Sequence, residues 1–130
     1  MAKKRYMNQD LGEMVTGSRP TDYFGIRQKD QIKFVRYNEI YFFKAENKYV
    51  VVKTKGEEYL VNDSLVSIEQ MVADRFIRIH RNALINLSLI DGMRKTKFDG
   101  WCVVFKEIDD VLSVSRRKMS TIRRWIKGVF

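Results

Sequence analysis

Residues 76–86 read FIRIHRNALIN. Successive side chains of a β-strand point to opposite faces, so a half-buried strand alternates apolar with polar residues. Phe76, Arg78, His80, Asn82, Leu84 and Asn86 share one parity; Ile77, Ile79, Arg81, Ala83 and Ile85 share the other. The alternation holds as far as Arg81, fails at Arg81-Asn82 and gives way to an apolar run. The chain's single histidine, an arginine and an asparagine therefore sit together between two apolar β-type stretches. Any fold the chain adopts has to account for that break.

The rest of the chain is built in the same manner. Short β-type runs at Tyr23–Arg27 and Ile32–Val35 lead into IYFFKAENKYVVVKT, where Ile40–Lys44 and Tyr49–Thr54 flank Ala45-Glu46-Asn47-Lys48. That spacing predicts a hairpin or tight corner on Asn47-Lys48. Lys55-Gly56-Glu57 turns the chain again, and Glu58–Val61 follows as a strand. Leu65, Ile68, Met71 and Val72 recur with helical spacing, which predicts a helix over Leu65–Ala73 capped by Asp63 or Ser64. Strand-like runs resume at Phe76–Ile79, Leu84–Ile90, Gly92–Thr96, Gly100–Lys106 and Val111–Val114, with Asp91-Gly92, Asp99-Gly100 and Asp109-Asp110 as turn signals. A second helix is expected after Ser115, with Met119, Ile122, Trp125 and Ile126 as its apolar stripe. The reading is a mostly β domain with two short helices.

One such domain is what 130 residues can supply. Residues 1–21, which hold Gly12, Gly17 and the single proline, Pro20, read as an N-terminal arm with a short helical piece at Gln9–Val15; the domain proper is expected over 22–130. The chain contains 25 Lys and Arg against 16 Asp and Glu, a net charge of +9. Thirteen of the basic residues and five of the acidic ones fall between Arg75 and Lys127, which leaves +8 there and about +1 in the first 74 residues. A basic C-terminal half points to a polyanionic partner, nucleic acid or an anionic surface.

Enzymatic and metal chemistry find little material. One His and one Cys in separate segments do not make a metal site, and there is neither a Gly-x-Ser-x-Gly elbow nor a glycine-rich phosphate loop. His80 stands alone, and a lone histidine is more often structural than catalytic. No enzyme, cofactor or metal is expected. Cys102 lies in the apolar run WCVVF and has no partner for an intrachain disulfide, which fits a reducing compartment. No secretory leader or membrane-length apolar run is present, so a cytoplasmic protein without membrane contact is expected.

Three clusters do suit nucleic acid. They are the turn Asn47-Lys48-Tyr49, the break His80-Arg81-Asn82, and the strand-to-helix step Ser115-Arg116-Arg117-Lys118. Arginine can bridge a guanine edge in the major groove and asparagine an adenine edge. The Ser115 hydroxyl and the free N–H groups of a following helix suit a phosphate. No aromatic residue sits in the His80 or Arg116 cluster to stack an unpaired base, which disfavours single-stranded RNA.

FIRIHRNALINLSLI and LSVSRRKMSTI, preceded by IYFFKAENKYVVVKT and YLVNDSLVSIEQMV, resemble the LytTR-type DNA-binding domain, the output domain of a class of bacterial response regulators. The resemblance covers Asp22 to Ile126. The paired segments Phe-x-Arg-x-His-Arg at 76–81 and Val-Ser-Arg-Arg at 114–117 carry it. It implies about ten short strands in small antiparallel sheets with two short helices. It also implies loops, rather than a recognition helix, that sit in successive major grooves on one face of the duplex. Arg81 and Arg116 match the family's base-contacting positions and Asn47-Lys48-Tyr49 its third contact loop, with His80, Asn82, Arg117 and Lys118 beside them at backbone or base edges. Asn82 stands where serine is more usual, and Glu46-Asn47-Lys48 replaces the frequent Glu-Ala-x-Gly-Asn. No receiver domain precedes the binding domain, so control by abundance, a ligand, a partner or the arm is expected.

The expected function is a transcriptional regulator that binds double-stranded DNA at tandem direct repeats as a homodimer. The alternative is a protein-partner-binding module acting on another response regulator or on polymerase, with Tyr37, Tyr41, Phe42 and Phe43 partly exposed as its interface; otherwise these four aromatics are expected in the core.

Overall fold

The computed structural model describes residues 22–126; the arm at 1–21, with its helical piece at Gln9–Val15, and residues 127–130 lie outside the described residues. Ten strands and two α-helices occupy the described part. β1 (Tyr23–Gln28) and β2 (Gln31–Arg36) pair as a hairpin. β3 (Phe42–Glu46), β4 (Tyr49–Lys53), β5 (Glu58–Val61), β6 (Phe76–His80) and β7 (Ala83–Asn86) form a five-stranded sheet in the order β5-β4-β3-β7-β6. β8 (Ile90–Thr96), β9 (Gly100–Phe105) and β10 (Val111–Ser113) form a third sheet in the order β10-β9-β8. Every pairing is antiparallel. α1 (Leu65–Val72) joins β5 to β6, and α2 (Met119–Trp125) closes the described chain.

The five-stranded sheet is the middle of three layers. On one face Phe43, Val50, Val52, Tyr59, Val61, Phe76 and Leu84 pack against Phe24, Ile26 and Val35 of the β1–β2 hairpin and against Leu65, Ile68 and Val72 of α1. On the other face Phe42, Ile77, Ile79, Ala83 and Ile85 pack against Val103, Phe105 and Leu112 of the third sheet and Ile122 of α2. The parities seen in FIRIHRNALIN now have destinations. Phe76 and Leu84 look to the α1 side, while Ile77, Ile79, Ala83 and Ile85 look to the third sheet. A strand covered on both faces has no polar face to keep, so β7, ALIN, is buried throughout and its alternation disappears.

Local chemistry sets the ends of these elements. The side chain of Ser64 caps α1 by accepting from the Ser67 N–H at 3.1 Å. Asn47 adopts φ +54°, which fits a two-residue hairpin turn with Lys48 between Glu46 and Tyr49. Asp91-Gly92 does not turn the chain as the sequence suggests. β8 runs straight through it with a bulge between Ile90 and Gly92, and the chain reverses earlier, in a 3₁₀ turn at Leu87–Leu89. The second helix starts later than expected, since Arg116–Lys118 form a 3₁₀ turn before Met119. Trp125, assigned to that helix's apolar stripe, is 54% exposed; Met119, Ile122 and Ile126 carry the packing. Tyr37, Tyr41, Phe42 and Phe43 are all buried, so they offer no interface to a partner. No described helix is long and apolar enough to cross a membrane.

Asn86 is the buried polar residue at the junction of all this. Its amide nitrogen donates to the Tyr37 and Ile40 carbonyls at 3.2 and 3.0 Å, and its Oδ1 accepts from the Ser88 N–H and hydroxyl at 3.0 and 2.8 Å. It thus ties the segment entering β3 to the exit of β7. Asn86→Ala removes the side-chain donor to the Ile40 carbonyl and one of two donors to the Tyr37 carbonyl, which keeps the Ile40 N–H at 3.1 Å. It is expected to destabilise the fold by about 1–3 kcal/mol in urea titration, with an unchanged m-value. Tyr37 makes the opposite case, because its buried hydroxyl has no hydrogen-bond partner among the described residues. Tyr37→Phe is expected to be neutral or stabilising by up to about 1 kcal/mol in the same titration; a loss above that would reveal a partner for the hydroxyl.

Candidate nucleic-acid interface

Three turns meet at one end of the central sheet. β3 and β7 are neighbours, and their pairing continues past the strands through the Ala45 N–H, which donates to the Asn82 carbonyl at 2.8 Å. The Asn47-Lys48 turn therefore lies beside the Arg81-Asn82 turn. At the outer edge of β6, the Ser115 N–H donates to the Ile79 carbonyl at 2.8 Å, which fixes the β10–α2 step next to the same turn. Strands of a sheet lie about 4.8 Å apart, so the row from Asn47-Lys48 through Arg81 to Ser115 spans on the order of 15–20 Å. Clusters far apart in the sequence, at 47–49, 80–82 and 115–118, thus share one rim.

The side chains on this rim are open to solvent. Asn47, Lys48, Arg81, Arg116 and Arg117 are exposed, Tyr49 is 46% exposed, and His80, Asn82, Ser115 and Lys118 are half-buried. The Ser115 hydroxyl makes no capping hydrogen bond to the turn it precedes. Several cations elsewhere are paired with carboxylates. Lys53 lies 3.6 Å from Glu58 and 3.4 Å from Asp110, Lys55 lies 3.0 Å from Glu107, and Arg75 lies 3.1 Å from Asp22. Lys44 at the rim's base is paired with Glu46 at 3.6 Å. Among the described residues Lys48, Arg81, Arg116, Arg117 and Lys118 have no carboxylate partner, so the rim presents uncompensated positive charge.

The turn that carries Arg81 is braced from behind. Arg78 shares a parity with Phe76 and so points toward α1, where its guanidinium meets Glu69 at 2.7 Å. Its other terminal nitrogen donates to the carbonyl of Arg81 at 2.6 Å. The His80 ring assists from the strand end, with Nδ1 accepting from the Asn82 N–H at 3.4 Å. His80 is thus a turn-holding residue here, and the register shift between Arg78 and His80 swings the turn out of the sheet's alternation. Arg78, which the three sequence clusters leave out, holds the backbone of the turn that carries Arg81. A signal for it exists, since an arginine at an inward-facing strand position has to find a partner.

A family model described as the LytTr DNA-binding domain matches residues 30–127. The chain belongs to the LytTR DNA-binding domain family. Its relatives include the positive alginate biosynthesis regulatory protein of Pseudomonas aeruginosa, 34% identical over 109 residues that make up 83% of this chain and 44% of that protein. The sensory transduction protein LytT of Bacillus subtilis is 30% identical over 69% of the chain and 38% of its own length. The transcriptional regulatory protein YpdB of Escherichia coli is 24% identical over 84% and 45%. The chain thus spans less than half the length of these curated relatives. In fold it is similar to a solved LytTr DNA-binding domain from Bacillus cereus, with a TM-score of 0.69 and 19% identity over 79% of this chain and 94% of that one.

The brace is expected to have a measurable effect on binding. Arg78→Ala frees the Arg81 carbonyl and leaves Glu69 alone, and is expected to weaken duplex binding about tenfold by fluorescence anisotropy, the equivalent of one charge-assisted hydrogen bond. Glu69→Gln keeps the bond to the Arg81 carbonyl and should lose less. Equal losses from the two variants would show that the ion pair, rather than the carbonyl contact, positions the turn.

Proposed function

We propose that this chain is a sequence-specific regulator of transcription that binds double-stranded DNA and reads base edges in the major groove through the rim loops. The observation that carries the reading is the gathering of Asn47-Lys48-Tyr49, His80-Arg81-Asn82 and Ser115–Lys118 on one rim whose cations lack carboxylate partners. Phosphates drawn to such a rim release counterions, and that release gives most of the affinity and a steep dependence on salt. Specificity then rests on the side chains that reach furthest. Arg81 and Arg116 are exposed on short, anchored turns and are assigned to base edges. Lys118, Arg117 and the Ser115 hydroxyl are assigned to phosphate, and Asn47, Lys48 and Tyr49 to the neighbouring groove wall.

A span of about 15–20 Å exceeds the minor groove's width of about 6 Å, which lets the outermost loops sit on either side of it. Few base contacts fit on one such rim, and each discriminates by only ~1–3 kcal/mol. A homodimer on tandem direct repeats supplies the remainder. The names of the relatives, two of them regulatory proteins, agree with control of transcription, and a cytoplasmic location follows from that role.

The test is selection of bound duplexes from a random pool, followed by affinity measurements on the enriched and a scrambled site. Arg81→Ala and Arg116→Ala should each lose ~1–3 kcal/mol on the enriched site and little on the scrambled one, while Lys118→Ala should weaken both alike and flatten the salt slope by about one unit. A pool that stays random through selection would overturn the reading.

A further inference from the structure

The loops just assigned leave the β8–β9 hairpin without a role, yet it points to the same end of the molecule. β9 begins where β10 ends. Ser113 is paired with Cys102, and the Val114 N–H donates to the Trp101 carbonyl at 2.8 Å, one residue before Ser115 is fastened to β6. On the other side of β9, Lys95 is opposite Trp101 and Thr96 opposite Gly100. Lys97, Phe98 and Asp99 therefore extend past the Trp101–Val114 row, toward the rim's side, by on the order of 7–10 Å at strand spacing.

The tip is both basic and rigid. Arg94, Lys95 and Lys97 are exposed and take part in no ion pair among the described residues. Asp99 is the hairpin tip's acid, and its backbone N–H is used in the turn, donating to Thr96 Oγ1 at 3.0 Å. The same hydroxyl donates to the Gly100 carbonyl at 3.2 Å, and Gly100 completes the turn at φ +69°, a conformation a side chain would oppose. On this braced turn Phe98 stands 90% exposed, with the Lys97 ammonium 5.9 Å from its ring centroid. A rigid apolar tip flanked by cations matches the minor groove, whose sugar-lined walls accept apolar side chains between two phosphate ridges.

We propose that the β8–β9 hairpin is a fourth DNA-contacting element, with Lys95 and Lys97 on phosphates beside the loop-read segment and Phe98 in the adjoining minor groove. The proposal rests on the DNA-reading function above. It adds a contact that carries no base code of its own and lengthens the footprint on the β10–α2 side. The net hairpin charge favours DNA over a second copy of this basic chain, which would bring like charge to like.

The experiment is equilibrium binding of the full chain to a duplex carrying one half-site, across a range of salt. Lys95→Ala/Lys97→Ala should make the slope of log K against log salt shallower by about 2, since each phosphate left without its lysine removes roughly 0.9 from the slope. Phe98→Ala should weaken binding by about tenfold at every salt concentration with the slope unchanged, as removal of an apolar side chain would. Both variants alter exposed positions, and circular dichroism checks that they fold. If the unaltered chain binds no duplex with a steep slope, the DNA-reading function itself fails. If it does bind and either variant matches it in slope and affinity, the fourth contact fails alone. Losses that appear only on a two-site duplex would move the hairpin to a contact between copies and overturn the assignment to DNA.

Discussion

Burial of the central sheet on both faces is the constraint from which the remaining features follow. A sheet with one wet face can slide or twist, because only one parity of each strand is committed. Here Phe43, Val52 and Leu84 are committed to the α1 side and Phe42, Ile79 and Ile85 to the third sheet. A one-residue slip would place no residue in its proper core, so the register of β3, β6 and β7 is fixed twice over. The two-residue turns at their ends inherit that fixity. Asn86 adds a polar lock at the opposite end, where hydrophobic packing alone would leave the direction of chain entry into β3 underdetermined.

This division lets one end of the molecule hold its stability and the other its unpaired charge. Surface ion pairs contribute little to folding, typically up to about 1 kcal/mol, so Lys53 and Lys55 with their acids are weak struts. Their effect is on the field: they cancel positive charge away from the rim, while Arg81, Arg116 and Arg117 keep theirs. A net charge of +9 spread evenly would attract any polyanion from any direction. Unpaired cations gathered on one rim favour a particular orientation of approach for a polyanion. Arg78 belongs to neither group. It is mostly covered, and its charge is directed inward at Glu69 and at the Arg81 carbonyl, so it serves geometry rather than attraction.

Much of this was legible in the sequence, and the parts that were not have physical reasons. Short alternating runs, the Asn47-Lys48 turn and the Ser64 cap are local effects, and local residues predict them. The break at His80-Arg81-Asn82 was visible as a failure of alternation, and the motifs at 76–81 and 114–117 pointed to a family that the match over 30–127 shows. Asp91-Gly92 misled, because the same dipeptide that favours a turn also tolerates a bulge, and only the pairing of β8 with β9 decides between them. Trp125 misled because helical periodicity ranks positions without saying where the neighbouring sheet ends. The aromatic run at Tyr41–Phe43 could not be assigned until both layers that cover it were known. That three remote clusters would share one rim depended on two backbone bonds, Ala45 to Asn82 and Ser115 to Ile79, which no local pattern encodes.

The same architecture bears on how such a domain can vary its rim. A two-residue turn between strands of fixed register cannot lengthen without straining the sheet, so variation in loop length is closed to it. What remains free is the identity of the exposed side chains at Lys48, Arg81, Asn82 and Arg116, none of which contributes to either core. Substitutions there cost the fold little while altering hydrogen-bond donors at the rim. The fold can therefore keep both cores and the rim's backbone while the rim's side chains vary. Asn82 illustrates the limit of that freedom. Its side chain is open to exchange, but its backbone carbonyl accepts from Ala45 and its N–H donates to His80, so any residue placed there must keep the turn's backbone geometry.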